Sequence, residues 1–228
     1  MLTPLTTAPA RIASVEVGYV TDIEGNLDFF DRWVARSGVL KYTAPGKLEF
    51  THENAYFVFG GDAMDRGDGG IRFTRRLVEF KKRYPERVFL LAGNRDLNKI
   101  RFTSDLAVSD LRRSARDVPR PHWDEDAPTL HEYLTGLAAS RHETGGAEAV
   151  DSRKNRIHYY LEKTLGCPRT FEGRRRELEL LDATLAPVSD EAVVESLVSD
   201  VLPGGCLREY LVVPPSPNAT VKINVACE

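Results

Sequence analysis

Cysteine is scarce in this chain. The 228 residues contain three, Cys167, Cys206 and Cys227, and no two of them have the CxxC spacing. The sequence therefore indicates neither a zinc knuckle nor a disulfide framework. Few, scattered thiols are typical of a reducing compartment, so we expect a cytoplasmic protein. The first residues, MLTPLTTAPARIAS, contain no acid, which leaves an organellar location as the alternative.

Long apolar runs and an excess of one charge are also missing. No stretch approaches the roughly 20 consecutive apolar residues that a helix needs to cross a bilayer. The formal net charge is −3 at pH 7, with acids and bases mixed along the chain. We therefore expect neither nucleic acid nor a membrane as a partner, and a small molecule or a phosphoprotein as substrate. The sequence leaves the oligomeric state open.

Three short apolar runs, each followed by glycine and an acid, indicate strands. They are SVEVGYVTDIEG, AYFVFGGD and RVFLLAGNRD. The second and third are continuously apolar over four or five residues, as in strands that are buried on both faces of a parallel sheet. Helical patterns lie between the runs, and the first of these helices has Asn26 as its candidate N-cap. This order predicts an α/β fold with a β-α-β-α-β core.

The composition changes after about residue 105. Acids, arginines and prolines crowd RRSARDVPRPHWDEDAP, and helical patterns follow. We expect a flexible tail at 1–14, a core at 15–105, a mainly helical insertion or cap at 106–214, and a final strand at 215–228 that returns to the core.

Polar side chains follow all three predicted strands. In open α/β sheets, ligands bind beyond the carboxyl ends of the parallel strands, because the loops converge there. Asp22, Glu24, Asp62 and Asn94 would then lie in one small volume. Carboxylate and amide oxygens suit hard divalent cations, so we expect one or two ions of Mn, Mg or Fe(II). Taken one by one, each motif is more often an ordinary turn after a buried strand than a functional site.

The ordered trio DIEGN, GDAMDRG and GNRD resembles the calcineurin-type metallophosphoesterase superfamily, over roughly residues 15–105. The resemblance implies that Asp22 binds a first metal ion, that Asp62 bridges two ions and that Asn94 binds the second. Arg66 would clamp the substrate phosphate with its planar guanidinium. The implied reaction is hydrolysis of a phosphate ester or anhydride by a metal-activated water.

Two motif positions depart from that family. Glu24 stands where the first motif of the family has His, and it can ligate the same kind of ion. Arg95 replaces the His that serves the family as proton donor, and a guanidinium stays charged at neutral pH. We expect Arg95 to clamp phosphate together with Arg66, Asp96 to belong to the catalytic set with both arginines, and Asn26 to lie beside the substrate.

The third departure is the lack of the family's later Gly-His and Gly-His-x-His motifs. None of the five histidines follows a glycine. Either the second half of that fold is not part of this chain, or the site uses fewer ligands. The competing hypothesis is a catalytically impaired relative that binds or serves as a scaffold. A minor alternative is a haloacid-dehalogenase-like phosphatase, in which Asp22 would be the nucleophile.

Overall fold

A three-stranded parallel sheet organises the N-terminal half of the fold. The computed structural model describes residues 14–213. The strands are β1 (Glu16–Val20), β2 (Leu40–Ala44), β3 (Lys47–Phe50), β4 (Ala55–Phe59) and β5 (Val88–Leu90). β4 lies in the middle, with Gly18 opposite Phe57 on one side and Phe57 opposite Val88 on the other. The predicted α/β core with a parallel sheet is confirmed.

Two helices connect these strands and cover the sheet. α1 (Leu27–Arg36) follows β1, and α2 (Gly70–Arg83) follows β4. Asn26 is the N-cap of α1, as predicted, because its side chain accepts a hydrogen bond from the Phe29 amide. The fully buried Phe30 and Phe73 meet edge to face with ring centroids 4.9 Å apart, which joins the two helices.

The segment between α1 and β4 forms a hairpin. β2 and β3 pair antiparallel, with Leu40 opposite Phe50. The turn contains Gly46 at φ 71°, a left-handed conformation that glycine adopts without steric cost. Leu48 and Phe50 are buried, so the hairpin packs one face onto the core.

The chain is helical after β5 over the rest of the described residues. The helices are α3 (Asn94–Asn98), α4 (Phe102–Asp105), α5 (Val108–Leu111), α6 (Leu130–Ser140), α7 (Gly146–Val150), α8 (Arg153–Tyr159), α9 (Thr170–Leu181), α10 (Asp190–Ser199) and α11 (Cys206–Val212). The stretch 147–165, whose pattern predicts continuous helix, is broken after Val150. Ser152 interrupts it by capping α8 through the amide of Asn155.

The predicted terminal segments, the tail at 1–14 and the strand at 215–228, lie almost entirely outside the described residues. The division of the remainder into a core and a cap stays a prediction. Within residues 14–213 no helix has the length and apolar character needed to cross a bilayer.

Candidate active site

The loops after β1 and β4 are joined by backbone hydrogen bonds. The Asp22 amide donates to the Gly61 carbonyl at 3.1 Å, and the Glu24 amide donates to the Asp62 carbonyl at 3.0 Å. The parallel pairing of the strands thus continues into the loops. The backbone segments that carry Asp22, Glu24 and Asp62 therefore lie side by side at the end of the sheet.

Three of the predicted ligands have left-handed backbone conformations. Asp22, Glu24 and Asp62 have φ angles of 53°, 51° and 57°. Among the described non-glycine residues, His142 alone shares this conformation. A positive φ is uncommon for a residue with a Cβ, and such conformations cluster at active sites and ligand clamps. The surrounding structure holds the three acids in this conformation at the end of the sheet.

Two glycines allow the loop after β5 to approach the loop after β4. A Cβ on Gly93 would lie 2.0 Å from Asp62 Oδ1, and one on Gly61 would lie 2.3 Å from the Gly93 nitrogen. Neither position has room for a side chain. The glycines therefore place the third motif directly against Asp62.

Asp96 holds the loops after β4 and β5 together through hydrogen bonds. Its fully buried carboxylate accepts backbone hydrogen bonds from Asp62 at 2.8 Å, Ala63 at 3.0 Å and Gly93 at 3.0 Å. Burial raises the pKa of Asp96, and the three amide donors oppose that rise. The contacts of Asp96 in the structure are therefore those of a positioning residue.

Arg95 lies among the acids of the site. Its amide donates to Asp62 Oδ1 at 3.1 Å, and its guanidinium forms an ion pair with Glu24. The same guanidinium nitrogen lies 3.8 Å from Asp62 Oδ2 and 3.9 Å from Asp65 Oδ2. Burial lowers the pKa of Arg95, but Asp65, Glu24 and Asp62 outweigh it and raise the pKa above its ordinary value. Arg95 is thus a permanent positive charge at this point.

Lys99 is a second cation at the site, and it is more buried than Arg95. Lys99 forms an ion pair with Asp65, and the two side chains are only 3% and 0% exposed. Burial raises the pKa of Asp65 to about 6, against the opposing effect of Lys99. The second carboxylate oxygen of Asp65 is buried and has no hydrogen-bond partner. Arg95 and Lys99 together offset part of the charge of Glu24, Asp62 and Asp65.

Six of the predicted site residues border two cavities. The first, of about 530 Å³, is bordered by Asp22, Glu24, Asn26 and Arg66, together with Arg169 and Arg176 of the later helical region. The second, of about 540 Å³, is bordered by Asn94 and Arg95. Glu24 borders the first cavity and Arg95 borders the second. Their ion pair therefore lies between the two cavities. Asp62 is buried and borders neither.

The side chains of Arg66 and Asn26 in the first cavity each make one polar contact within the protein. Arg66 lies 3.3 Å from Glu24 Oε2, and 45% of its side chain remains exposed. The Asn26 carbonyl oxygen caps α1 at 3.0 Å from the Phe29 amide, so its amide nitrogen is the atom left to contact a ligand. Of these two residues, Arg66 carries the positive charge that can meet an incoming phosphate.

The predicted ligands carry the oxygen donors that hard divalent cations take. Asp22 and Asn94 are exposed, and within residues 14–213 their side chains make no hydrogen bond or ion pair. Together with Asp62 they supply carboxylate and amide oxygens. Glu24 is already engaged by Arg95 and Arg66. In the described part of the chain, no group of three or more His, Cys, Asp or Glu residues is arranged to hold a metal ion.

Sequence reasoning missed four residues at this site. Asp65 was visible inside GDAMDRG, but its buried pairing with Lys99 depends on the fold. Arg169 and Arg176 come from α9 and the residue before it, which the sequence pattern assigned only to a helical region. Their spacing of seven residues, which places two side chains on the same side of a helix, was the available signal.

The comparisons with known proteins agree with this geometry. A family model described as calcineurin-like phosphoesterase matches residues 16–160, which is more than half of the chain. The match contains all three loops of the site and ends before α9. No curated protein and no solved structure matches the chain significantly.

Proposed function

Because the chain belongs to the calcineurin-like phosphoesterase family, we propose that it is a divalent-metal-dependent hydrolase of a phosphate ester or anhydride. The cleft of Asp22, Glu24 and Arg66 binds the substrate. The observation that carries this proposal is the left-handed backbone at Asp22, Glu24 and Asp62, since strained acids at adjacent strand ends need a functional reason. The match to this family gives no support to the haloacid-dehalogenase-like alternative.

Asp22, Asp62 and Asn94 would hold the ion, with Mn, Mg or Fe as the candidates. Bound there, the ion would polarise a phosphoryl oxygen and make a water molecule more acidic. Arg66 pairs with two phosphoryl oxygens through its planar fork. Arg95 adds a fixed positive charge near the reacting phosphorus, while Asp96 holds the loops of Asp62 and Gly93 in register.

Among the described residues that line the cleft, none is a histidine, lysine, tyrosine or cysteine, the side chains that most often donate a proton to a leaving group besides the carboxylic acids. Its polar lining within the described residues consists of Asp, Glu, Asn and Arg side chains. Carboxylates are ionised at pH 7 and guanidinium does not release its proton. The enzyme therefore favours leaving groups that depart as stable anions.

A second candidate function is binding of a phosphate compound without turnover. The observation that favours it is the ion pair of Arg95 with Glu24, because the guanidinium lies among carboxylates that could otherwise ligate metal. In this case Arg66 still holds a phosphate, and the protein acts through its bound state.

An assay of phosphoester hydrolysis with and without added Mn(II) separates the two candidates. Asp62→Asn tests the central ligand, and Asp126→Asn, an exposed acid outside the cleft, controls for the charge change. Metal-dependent turnover that is lost in the Asp62 variant alone supports the hydrolase. Binding of inorganic phosphate without turnover of any phosphoester supports the second function, and the absence of both overturns both.

A further inference from the structure

α9 is attached to the Asp65–Gly67 loop and to the start of α2 along one side of the helix. Thr170 Oγ1 donates to the Asp65 carbonyl, and a Cβ on Gly173 would lie 2.6 Å from the Gly67 carbonyl oxygen. One turn further, Glu177 accepts backbone hydrogen bonds at the first turn of α2. Positions 170, 173 and 177 lie on one helix face. The helix is therefore fixed against the loop that carries Arg66.

This attachment places two further arginines at the first cavity. Arg169 directly precedes α9, and Arg176 lies seven residues later, about 10 Å further along the axis at 1.5 Å per residue. Both border the cavity that contains Arg66. Both side chains are exposed, so they can reach a bound molecule.

The charges of the three arginines are compensated to different degrees. Arg66 lies near Glu24, and Arg176 Nε lies 3.6 Å from Asp68 Oδ2, with both members of that pair about half exposed. An exposed ion pair of this kind is weak and exchanges readily for a stronger anion. Arg169 has no ion pair or hydrogen bond from its side chain within the described residues. Asp22, Glu24, Asp28 and Asp68 also border this cavity, so Arg169 is the arginine most open to negative charge beyond a single phosphate.

We propose that Arg169 and Arg176 form a second anion subsite and that the substrate is a small phosphoanhydride, with one phosphoryl group at Arg66 and the next at α9. This rests on the proposed function of the cleft. Guanidinium groups suit phosphate oxygens because they donate two parallel hydrogen bonds. A cavity of about 530 Å³ has the size of a small-molecule site.

Among the described residues that line the cleft there is no histidine, lysine, tyrosine or cysteine, which also points to an anhydride. Water adds to one phosphorus, the bridging P–O bond breaks, and the second phosphate leaves with the bond's electron pair on its oxygen. The proton of the water passes to solvent. A phosphate leaving group is stable as an anion, because its second pKa is about 6. The alcohol of a phosphoserine ester would need a proton that the described residues of the cleft do not supply.

Calorimetric titration of the full chain with inorganic phosphate and with pyrophosphate tests the subsite. The chain and its Arg169→Gln, Arg176→Gln and double variants are compared, and Arg141→Gln removes an exposed charge outside the cleft as a control. We expect pyrophosphate to bind at least tenfold more tightly than phosphate. The double variant should lose about ten- to hundredfold in pyrophosphate affinity and change phosphate affinity by less than about threefold.

The outcomes separate this inference from the proposed function. Equal affinity for the two anions, or a pyrophosphate preference that survives in the double variant, overturns the subsite even if a simple phosphoester is hydrolysed. A preference that depends on the two arginines supports the subsite even if nothing is hydrolysed. Failure to bind either anion overturns the subsite and the phosphate cleft together. Thermal unfolding of each variant shows that the fold is intact.

Discussion

The guanidinium of Arg95 forms an ion pair with the carboxylate of Glu24, across 71 residues of sequence. These two residues occupy the positions at which the chain departs from the motifs of the superfamily it resembles. The two residues also contact each other, so the replacements at these two motif positions are structurally coupled. A carboxylate and a permanent cation face each other at the site, and neither is free to act alone.

Arg95→His is expected to increase the affinity for Mn(II) by tenfold or more. The substitution releases Glu24 and removes a charge that repels a divalent cation, while imidazole adds a nitrogen ligand. Titration calorimetry of the full chain measures the change. Arg116→His, at an arginine whose side chain is 65% exposed, is the matched control and should leave the affinity unchanged. An unaltered affinity in the Arg95 variant would mean that this residue does not oppose metal binding.

The buried pair of Lys99 and Asp65 makes a separate prediction about stability. Lys99→Met leaves the carboxylate of Asp65 buried without its main partner, which should cost about 3 kcal/mol in the free energy of unfolding. Adding Asp65→Asn removes the uncompensated charge, so the double variant should be more stable than the single one. Urea denaturation at pH 7.5 provides both values. Additive losses in the double variant would show that the two side chains do not depend on each other.

The adjacency of the loops that carry Asp22 and Asp62 could be predicted from sequence because it follows from a local rule. Apolar runs mark parallel strands, and the residues after such strands share one edge of the sheet. The N-cap at Asn26 could also be predicted from local sequence, because its hydrogen bond to the Phe29 amide spans only three residues. Neither inference required knowledge of how distant side chains pack.

The pairings that set the charge of the site could not be predicted in this way. Lys99 contacts Asp65 because α3 turns the chain back over the GDAMDRG motif. A Gly-Asn-Arg-Asp sequence alone is typical of a loop and does not predict this helix. Asp96 makes that turn helical by bonding the Gly93 amide at 3.0 Å. Glu177 reaches Ile71 across 106 residues, which no helical periodicity encodes.

The role of Gly173 can be checked against a second glycine. Gly173→Ala should lower stability by about 1–3 kcal/mol, because its Cβ would meet the Gly67 carbonyl at 2.6 Å and backbone atoms would have to move. Gly136→Ala, inside α6 with nothing within 4 Å, should instead raise stability by about 0.5–1 kcal/mol. Urea denaturation compares the two. Similar effects in both variants would show that α9 is not packed tightly on the loop.

Glu177 provides the cap that α2 lacks in its own segment. The N-cap of α2 is Gly69, which has no side-chain hydrogen bond, and Glu177 accepts from the Ile71 amide at 2.9 Å and the Arg72 amide at 3.0 Å. Glu177→Ala should lower the free energy of unfolding by about 3 kcal/mol, since two amides lose their buried acceptor. Glu172→Ala, on the same helix with a 57% exposed side chain, should stay within about 0.5 kcal/mol. Comparable losses would refute the capping role.

His158 predicts how stability depends on pH. Its ring lies 4.3 Å from that of Phe171, and burial lowers its pKa below the ordinary value of about 6.5, with Lys154 adding to the effect. The unfolded chain therefore takes up the proton more readily than the folded one. The contribution of His158 is fully present above pH 6.5 and is lost as the pH falls from there through the folded pKa.

In urea denaturation between pH 7.5 and 5, His158→Gln should lose less stability than the parent chain. His142→Asn, at an exposed histidine, should follow the parent chain, and a His158 variant that also did so would contradict the assignment.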